Sequence, residues 1–420
     1  MINDCFSHQE KRLLHFDAID LLKSRLGTIA DSASQDLAAC GGKILAEDII
    51  APRNIPAFDN SAMDGFAFRH HDYRNNHGKF AVNERIAAGD PKPVELVPNT
   101  AVRIFTGAAM PIGADTVAMQ EDCQTQVQDG QTFVTIPQGY KKGANVRLAG
   151  EDLKSGQPLL EKASRLRPQD IAAVASCGLA RIRVYQPLRI ALASTGNEII
   201  RPGEALDASG VYDANYFMLN ALLETMPVEV TDLGILPDDR DMVQSTLTAA
   251  SATHDIVITS GGASLGEEDH ITGLLADKGT RHMWQLAIKP GRPMCFGTLN
   301  DTIFFGLPGN PVASFVCFLL YIYPSLLVLG GARWREPQRI KIPSAIDFNN
   351  KKTGRREYWR GFLLPDADGT NRLHKYDRDG SGLISGLRHA EGFIEIGEDV
   401  TEVKPGEMLD FIPFAQFGIV

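Results

Sequence analysis

Apolar residues recur at helical spacing in Phe16, Ile19, Leu22 and Leu26, which predicts an amphipathic helix from Phe16 to Leu26. Lys43 to Ala51 reads as a short strand ended by Pro52. From Arg53 to about Gly139 the alternation in AFAFR, AVRIF, TVAMQ and TFVTI, set among Gly and Pro, predicts short strands with long loops, a small β-rich domain over 53–139. Between Tyr140 and Val184 the pattern becomes loop, short strand and helix. Pro168 starts that helix, Ile171, Val174 and Ala175 share a face, and Gly178 supplies the stop. We group this stretch, 140–184, with residues 1–52 as one discontinuous domain.

From Leu188 onward the period switches repeatedly between two and 3.6. The order is LRIALAS (strand), NYFMLNALLETM (helix), VEVTDLGIL (strand), DMVQSTLTAA (helix), DIVITS (strand) and ITGLLADK (helix), then the apolar stretches MCFG and TIFFGL. Strands alternating with helices predict a parallel α/β sheet covered on both faces, over 185–332. After Trp334 the helical period vanishes, and RIKIPSAI, EYWRGFLL, FIEI and EMLDFIPF predict a final all-β domain over 333–420. The fold class is therefore α/β multidomain, with four segments.

The uncharged run from Val312 to Ala332 is long enough to span a bilayer. Pro324 interrupts it, Ser314, Tyr321 and Ser325 dilute it, and Gly330 and Gly331 end it directly after a tight LPGNP turn, so we read a buried core helix and no membrane association. With 420 residues, 44 % hydrophobic and 22 % charged, the chain has material for two to four cores. The net charge of −10 lacks the basic footprint of a nucleic-acid binder. Six scattered cysteines without a C-x-x-C pair read as reduced thiols, and the first fifteen residues hold no apolar signal region, so a cytoplasmic location is expected.

Ligands of open α/β sheets sit at the carboxyl ends of the strands, so the loops leaving them are the first candidates. They are Thr195-Gly196-Asn197-Glu198, the run from Gly261 and Gly262 through Ser264 to Asp269, and Pro308-Gly309-Asn310-Pro311. Each alone suits an ordinary strand-to-helix turn. Three at one sheet edge point to an anion site where glycines admit close backbone approach, although neither a P-loop nor a dinucleotide fingerprint is present. Glu198, Asp238 with Asp239, and Asp269 follow strands of the same sheet; they read either as ligands of a divalent cation or as a solvated acidic rim. Lys289 and Arg292 in IKPGRP supply positive charge for an anionic substrate. Asp377 to Ile384 imitates the start of a calcium loop, but position 12 is Arg388, which argues against calcium.

The stretch Pro56 to Ala67 (PAFDNSAMDGFA) is idiosyncratic and resembles the signature of the molybdopterin molybdenumtransferases, the MoeA-type enzymes to which the gephyrin E domain is related. RIFTGAAMPIGADTVAMQED, VRLAGEDL, STGNE, DANYFML, SGGASLGEEDH, IKPGRP, LPGNPVAS and GSGLISGL resemble the family's blocks in the family's order. The resemblance implies an elongated homodimer of four-domain subunits. Its α/β domain would bind the pterin nucleotide in a cleft completed by the partner subunit, and its last domain would be a β-barrel. It implies a transferase of molybdenum cofactor biosynthesis that takes adenylylated molybdopterin and molybdate, releases AMP, and requires Mg²⁺ or another divalent cation. A molybdopterin adenylyltransferase and apo-molybdoenzymes or their chaperones would be partners.

Carried over by motif, the catalytic positions are Asp64, Thr106, Glu198, Asp238 and Asp269. The resemblance puts Glu198, Asp238 and Asp269 around the cation and phosphates, and Asp64 and Thr106 on the molybdate side, reaching in from the small domain or across the dimer. Arg147 and Asp152, with Lys289 and Arg292, are implied as charged walls. Asp59, Gly261, Gly262 and Ser264 join the substrate-binding set, Pro308, Gly309, Asn310 and Pro311 shape a phosphate or pterin loop, and Ser381 approaches from the last domain. Asn197, Phe66 and Arg292 stand where the family often has Asp, Tyr and Lys. Competing readings are an enzyme that adenylylates molybdopterin or hydrolyses pyrophosphates, and a scaffold that keeps the fold as an interaction module.

Overall fold

The computed structural model describes residues 12–92, 94–206, 208–263, 270–367 and 369–419. Its centre is a six-stranded sheet made of β1 (Leu188–Thr195), β2 (Val228–Leu236), β3 (Ile256–Ser260), β4 (Thr280–Trp284), β5 (Cys295–Leu299) and β6 (Thr302–Leu307), in the order β2-β1-β3-β6-β5-β4. Five helices cover it: α1 (His15–Arg25), α2 (Ala214–Glu224), α3 (Arg240–Ser251), α4 (His270–Lys278) and α5 (Pro311–Leu329). Side chains alternate across a strand, and the two faces have separate cores. Leu188, Ile190 and Leu192 of β1, with Ile258 and Phe305, pack against α1, α2 and α5. Ala191 and Ala193, with Val257 and Phe304, pack against Val243 and Leu247 of α3 and Ile271 and Leu275 of α4. Burial on both faces is why these strands read as nearly continuous apolar runs.

Three features of this domain correct the sequence reading. The sheet is mixed, since β1, β2, β3 and β6 are parallel while β5 runs antiparallel to both β6 and β4. Only Asn300 and Asp301 separate β5 from β6, with Asn300 at φ 54°, and a two-residue loop permits nothing but a hairpin. The β4 strand carries no clear alternation and was not anticipated. Helix α1 also leaves the expected 1–52 grouping: Ala18, Ile19 and Leu22 are buried in the α/β core. Burying Ile19 and Leu22 there contributes roughly 1.5–3 kcal/mol each.

The apolar run is helix α5, 19 residues long and apolar enough to cross a membrane, but 89 % of its most apolar window is buried inside the fold. Pro324 cannot donate to the ladder, and a wider π turn at Phe318–Ile322 takes up the interruption. The Ser325 hydroxyl donates to the Tyr321 carbonyl at 2.6 Å.

Ser32–Asp36 pairs antiparallel with Arg181–Tyr185, and Ile49–Ile50 with Pro158–Leu160, around a core that includes Leu37, Leu45, Leu166 and Val174. The helix at Pro168–Ser176 starts on Pro168 as expected and is followed by Gly178 at φ 78°; Val174 faces in, but Ala175 is exposed. Tyr140 and Val146 pack into the small β-rich unit instead of this one. That unit is a six-stranded sheet spanning Gly65 to Thr135 that also carries an unanticipated helix, His70–Asn75.

The C-terminal sheet comprises Ile340–Pro343, Arg356–Pro365, Asn371–Lys375, Gly392–Ile396 and Met408–Pro413. A bridge from Ser344 to Leu373 links two of its strands that are not ladder neighbours. Ile288 and Lys289 add a short parallel strand beside Arg356 and Glu357, which ties the IKPGRP loop of the α/β domain to this sheet.

Candidate functional site

The described parts of the three loops named from the sequence, of which the second is described only through Ala263, meet at the carboxyl ends of β1, β3 and β6. They line one cavity of about 590 Å³ with Glu198, Asp213, Asn215, Asp238, Gly261, Gly262, and Pro308 through Pro311. Such a volume lies within the range of sites for cofactor-sized ligands.

Two glycines here are required by geometry. Gly196 sits at φ +137°, and a Cβ on it would lie 2.5 Å from the Glu198 Oε2. Gly261 sits at φ +97°, where a Cβ would meet the Thr195 Oγ1 at 2.5 Å. Their own N–H groups are already engaged: Gly196 donates to the Leu236 carbonyl at 3.1 Å and Gly261 to Leu307 at 3.0 Å. They therefore bring loops together and keep space open, and are not the anion donors that their loops suggest in sequence. Asp238 is held by a reciprocal clasp, accepting from the Asn197 N–H at 2.9 Å while its own N–H donates to Asn197 Oδ1 at 3.1 Å. An Asp at position 197 would keep the second bond, so this departure from the family pattern leaves the clasp intact.

Two unexpected residues complete the cavity. Asn215 donates from Nδ2 to Ser260 Oγ at 2.7 Å and to the Gly309 carbonyl at 2.6 Å, while its buried Oδ1 has no partner. The Ser194 Oγ is also buried and unpartnered. A buried polar atom without a partner costs about 1–3 kcal/mol, so both favour a ligand that satisfies them. Asn215 lies within the DANYFML block, whose resemblance was the only sequence signal for it.

A second cavity of about 280 Å³ adjoins the first, and Pro293, Pro308 and Asn310 line both. Its cations are Arg12, Lys289, Arg292 and Arg355; Asp379 and Ser381 close it from the C-terminal domain. The Ser381 carbonyl accepts the Val312 N–H at 3.0 Å, which fixes the GSG loop against the first turn of α5. Neither Arg12 nor Arg355 was named from the sequence, because single basic residues in loops carry no local signal.

Asp64 and Thr106 find each other but line neither cavity. The Asp64 Oδ1 accepts from the Thr106 N–H at 2.8 Å and from its hydroxyl at 2.7 Å. These two bonds hold the Asp64 carboxyl below its usual range. A third cavity, of about 660 Å³, lies on this small domain and includes Phe66, Arg85, Arg103 and Gln120. Gln120 donates from its N–H to the Asp64 carbonyl at 3.0 Å.

Asp59, Arg147 and Asp152 stay on the seam of the small domain, outside both α/β cavities. The Asp59 Oδ1 accepts the Ala149 N–H at 2.7 Å, Arg147 pairs with Asn60, and Asp152 donates from its N–H to Ile55 at 3.1 Å. Ser264 and Asp269 lie outside the described residues. Among the described residues no cluster of three or more His, Cys, Asp or Glu side chains is arranged to hold a metal, so the expected ligand set reduces there to Glu198 and Asp238 on one cavity wall.

Comparison with known proteins agrees along most of the chain. Residues 15–178 match the family described as MoeA N-terminal region (domain I and II), residues 191–327 that described as probable molybdopterin binding domain, and residues 341–414 that described as MoeA C-terminal region (domain IV). A molybdopterin molybdenumtransferase of Haemophilus influenzae is 37 % identical over 380 residues, covering 90 % of this chain and 93 % of its own. One from a Nostoc species is 34 % identical over 399 residues, covering 90 % of both chains. The crystal structure of a molybdopterin biosynthesis moeA protein from Pyrococcus horikoshii superposes with a TM-score of 0.80 at 29 % identity, covering 96 % of this chain and 100 % of its own.

Proposed function

Because the chain belongs to the molybdopterin molybdenumtransferases, transferases of molybdenum cofactor biosynthesis, we propose that it inserts molybdenum from molybdate into adenylylated molybdopterin with release of AMP. The observation that carries this reading is the pair of adjoining cavities: a large one with carboxylates and orphaned polar atoms, and a small cationic one that shares its wall. The large cavity suits the pterin nucleotide, and the small one a tetrahedral oxyanion.

Glu198 and Asp238 fit a divalent cation such as Mg²⁺, which is commonly held by one or two carboxylates together with substrate phosphates. When bound, such an ion neutralises charge at the pyrophosphate where the bond to AMP breaks. Without it, two carboxylates beside a pyrophosphate would repel the substrate. The chain's own part is positioning. Asn197 orients Asp238, Gly196 leaves room for the Glu198 carboxylate, and Asn215 and Ser194 offer polar atoms to the bound nucleotide. Lys289, Arg292 and Ser381 place molybdate beside the dithiolene that receives the metal. Asp64 and Thr106, which line neither cavity of their own subunit, act from the partner subunit of a homodimer. The enzyme works in the cytoplasm, receiving substrate from a molybdopterin adenylyltransferase and passing product to apo-molybdoenzymes or their chaperones.

The test is AMP release when the purified protein is mixed anaerobically with adenylylated molybdopterin, magnesium and molybdate, with molybdate omitted as the control. Molybdate-dependent AMP release that activates an apo-molybdoenzyme is the expected result. Tight nucleotide binding without turnover would favour a scaffold.

A further inference from the structure

The small cavity has one wall that comes from the far end of the chain. Leu13 forms a parallel bridge with Leu286: its N–H donates to the Gln285 carbonyl at 3.1 Å, and its own carbonyl accepts the Ala287 N–H at 2.7 Å. Two residues on, His15 is buried with its Nδ1 2.8 Å from the Tyr321 hydroxyl and 3.2 Å from that of Tyr358. Arg12 is thus carried on backbone held by a ladder on the strip that leads to Lys289, and it lines the cavity.

The charges around that cavity are unequally committed. Arg355 donates to Glu357 at 2.8 Å, and Lys289 lies 3.9 Å from the same carboxylate group. Asp379, on the opposite side, is engaged by Lys375. Arg292 is bonded to the neutral side chain of Gln285 at 3.1 Å. Arg12 has no acidic partner among the described residues. Among the described residues its charge is therefore unpaired, beside a pocket that also holds Lys289, Arg292 and Arg355, and an anion entering that pocket would offset it.

We propose that Arg12 is a binding residue for a tetrahedral dianion in the small cavity and sets how tightly this chain holds molybdate; the proposal rests on reading that cavity as the oxyanion compartment. The guanidinium presents a planar fork of donors that can take two oxygens of one anion, which an ammonium cannot match. The large cavity does not include Arg12, so nucleotide binding is independent of it.

The experiment is equilibrium dialysis of the full-length protein against molybdate at low ionic strength, with bound metal read by elemental analysis and sulfate as competitor. Arg12→Gln, Arg12→Lys and Lys289→Ala are compared with the parent. We expect Arg12→Gln to weaken molybdate binding about tenfold and Arg12→Lys to recover part of it, as loss of a charge-assisted contact implies. Binding of adenylylated molybdopterin stays unchanged in both Arg12 variants. If Arg12→Gln binds like the parent while Lys289→Ala does not, the role of Arg12 is overturned and the compartment stands. If the parent binds no molybdate, or all variants bind equally, the compartment itself is misplaced and the proposal falls with it. Unfolding midpoints separate a lost contact from a lost N-terminal docking: a variant that melts early yet binds as the parent also overturns the role of Arg12.

Discussion

Two carboxylate arrangements in this molecule look alike in sequence and differ in setting. Glu198 and Asp238 stand on loops at the ends of parallel strands, and their neighbours close a cavity around them. Asp64 stands on a half-buried loop of the small domain, clasped by Thr106, and lines neither α/β cavity. A doubly covered sheet gathers loops at one edge, so its carboxylates converge within one chain. The small domain's sheet gathers a cavity of its own around Phe66, Arg85, Arg103 and Gln120, but that cavity does not include Asp64.

The sharpest way to break this contrast is to remove one member of each set. Asp238→Ala and Asp64→Ala should each lower turnover by at least about a hundredfold with little change in unfolding midpoint, the usual scale for losing a charge that acts in the transition state. Unchanged turnover in Asp64→Ala would leave the small-domain pair without a role. Mixing the two variants after dissociation then asks where Asp64 acts. If it works across the proposed dimer, random reassociation makes half the molecules hybrids with one complete site, and activity should return to about a quarter of the parent's. Recovery that fails in stable hybrids would place Asp64 in its own subunit's chemistry.

A smaller effect is expected from Gly196→Ala. The added Cβ would sit 2.5 Å from the Glu198 carboxylate at a φ of +137°, which side chains rarely adopt. The strain costs on the order of 1–3 kcal/mol, and turnover should fall roughly tenfold as Glu198 is displaced. A variant with parent kinetics would mean that the Glu198 position is uncritical.

The mildest test is Thr106→Val, which keeps the backbone bond to Asp64 and removes the hydroxyl bond. Both bonds favour the charged form, so Asp64 now keeps its charge below the ordinary carboxylate range. Losing one raises its pKa, and the acid limb of the pH–rate profile should move to higher pH while the alkaline limb stays in place. An unmoved acid limb would show that Asp64 ionisation does not govern the rate.

Much of this site was legible in the chain. The period switch after Leu188 located the strands, and their loops proved to be the cavity walls at Glu198, Asp238, Gly261 and Pro308. What was not legible arises from contacts between distant segments. Helix α1 shows only that it has an apolar face, and nothing local says that the face belongs against β1. Asn215, Ser194 and Arg12 look like ordinary helix-start, strand-end and loop residues until the cavities surround them. The glycine turns were legible, but that the Gly196 and Gly261 N–H groups are already engaged was not, because whether an N–H is free depends on the neighbouring strand's carbonyl.

The sequence by itself determined the alternating strands and helices that begin at Leu188, the α/β class of that region and the residues that carry the resemblance to the molybdopterin molybdenumtransferases, because periodicity and motif chemistry are local properties. Tertiary structure alone decided that α1 joins the core of the central sheet and that two cavities share the wall at Pro293, Pro308 and Asn310. Those outcomes depend on which surfaces exclude water together and which charges are left without partners, and both are properties of segments hundreds of residues apart.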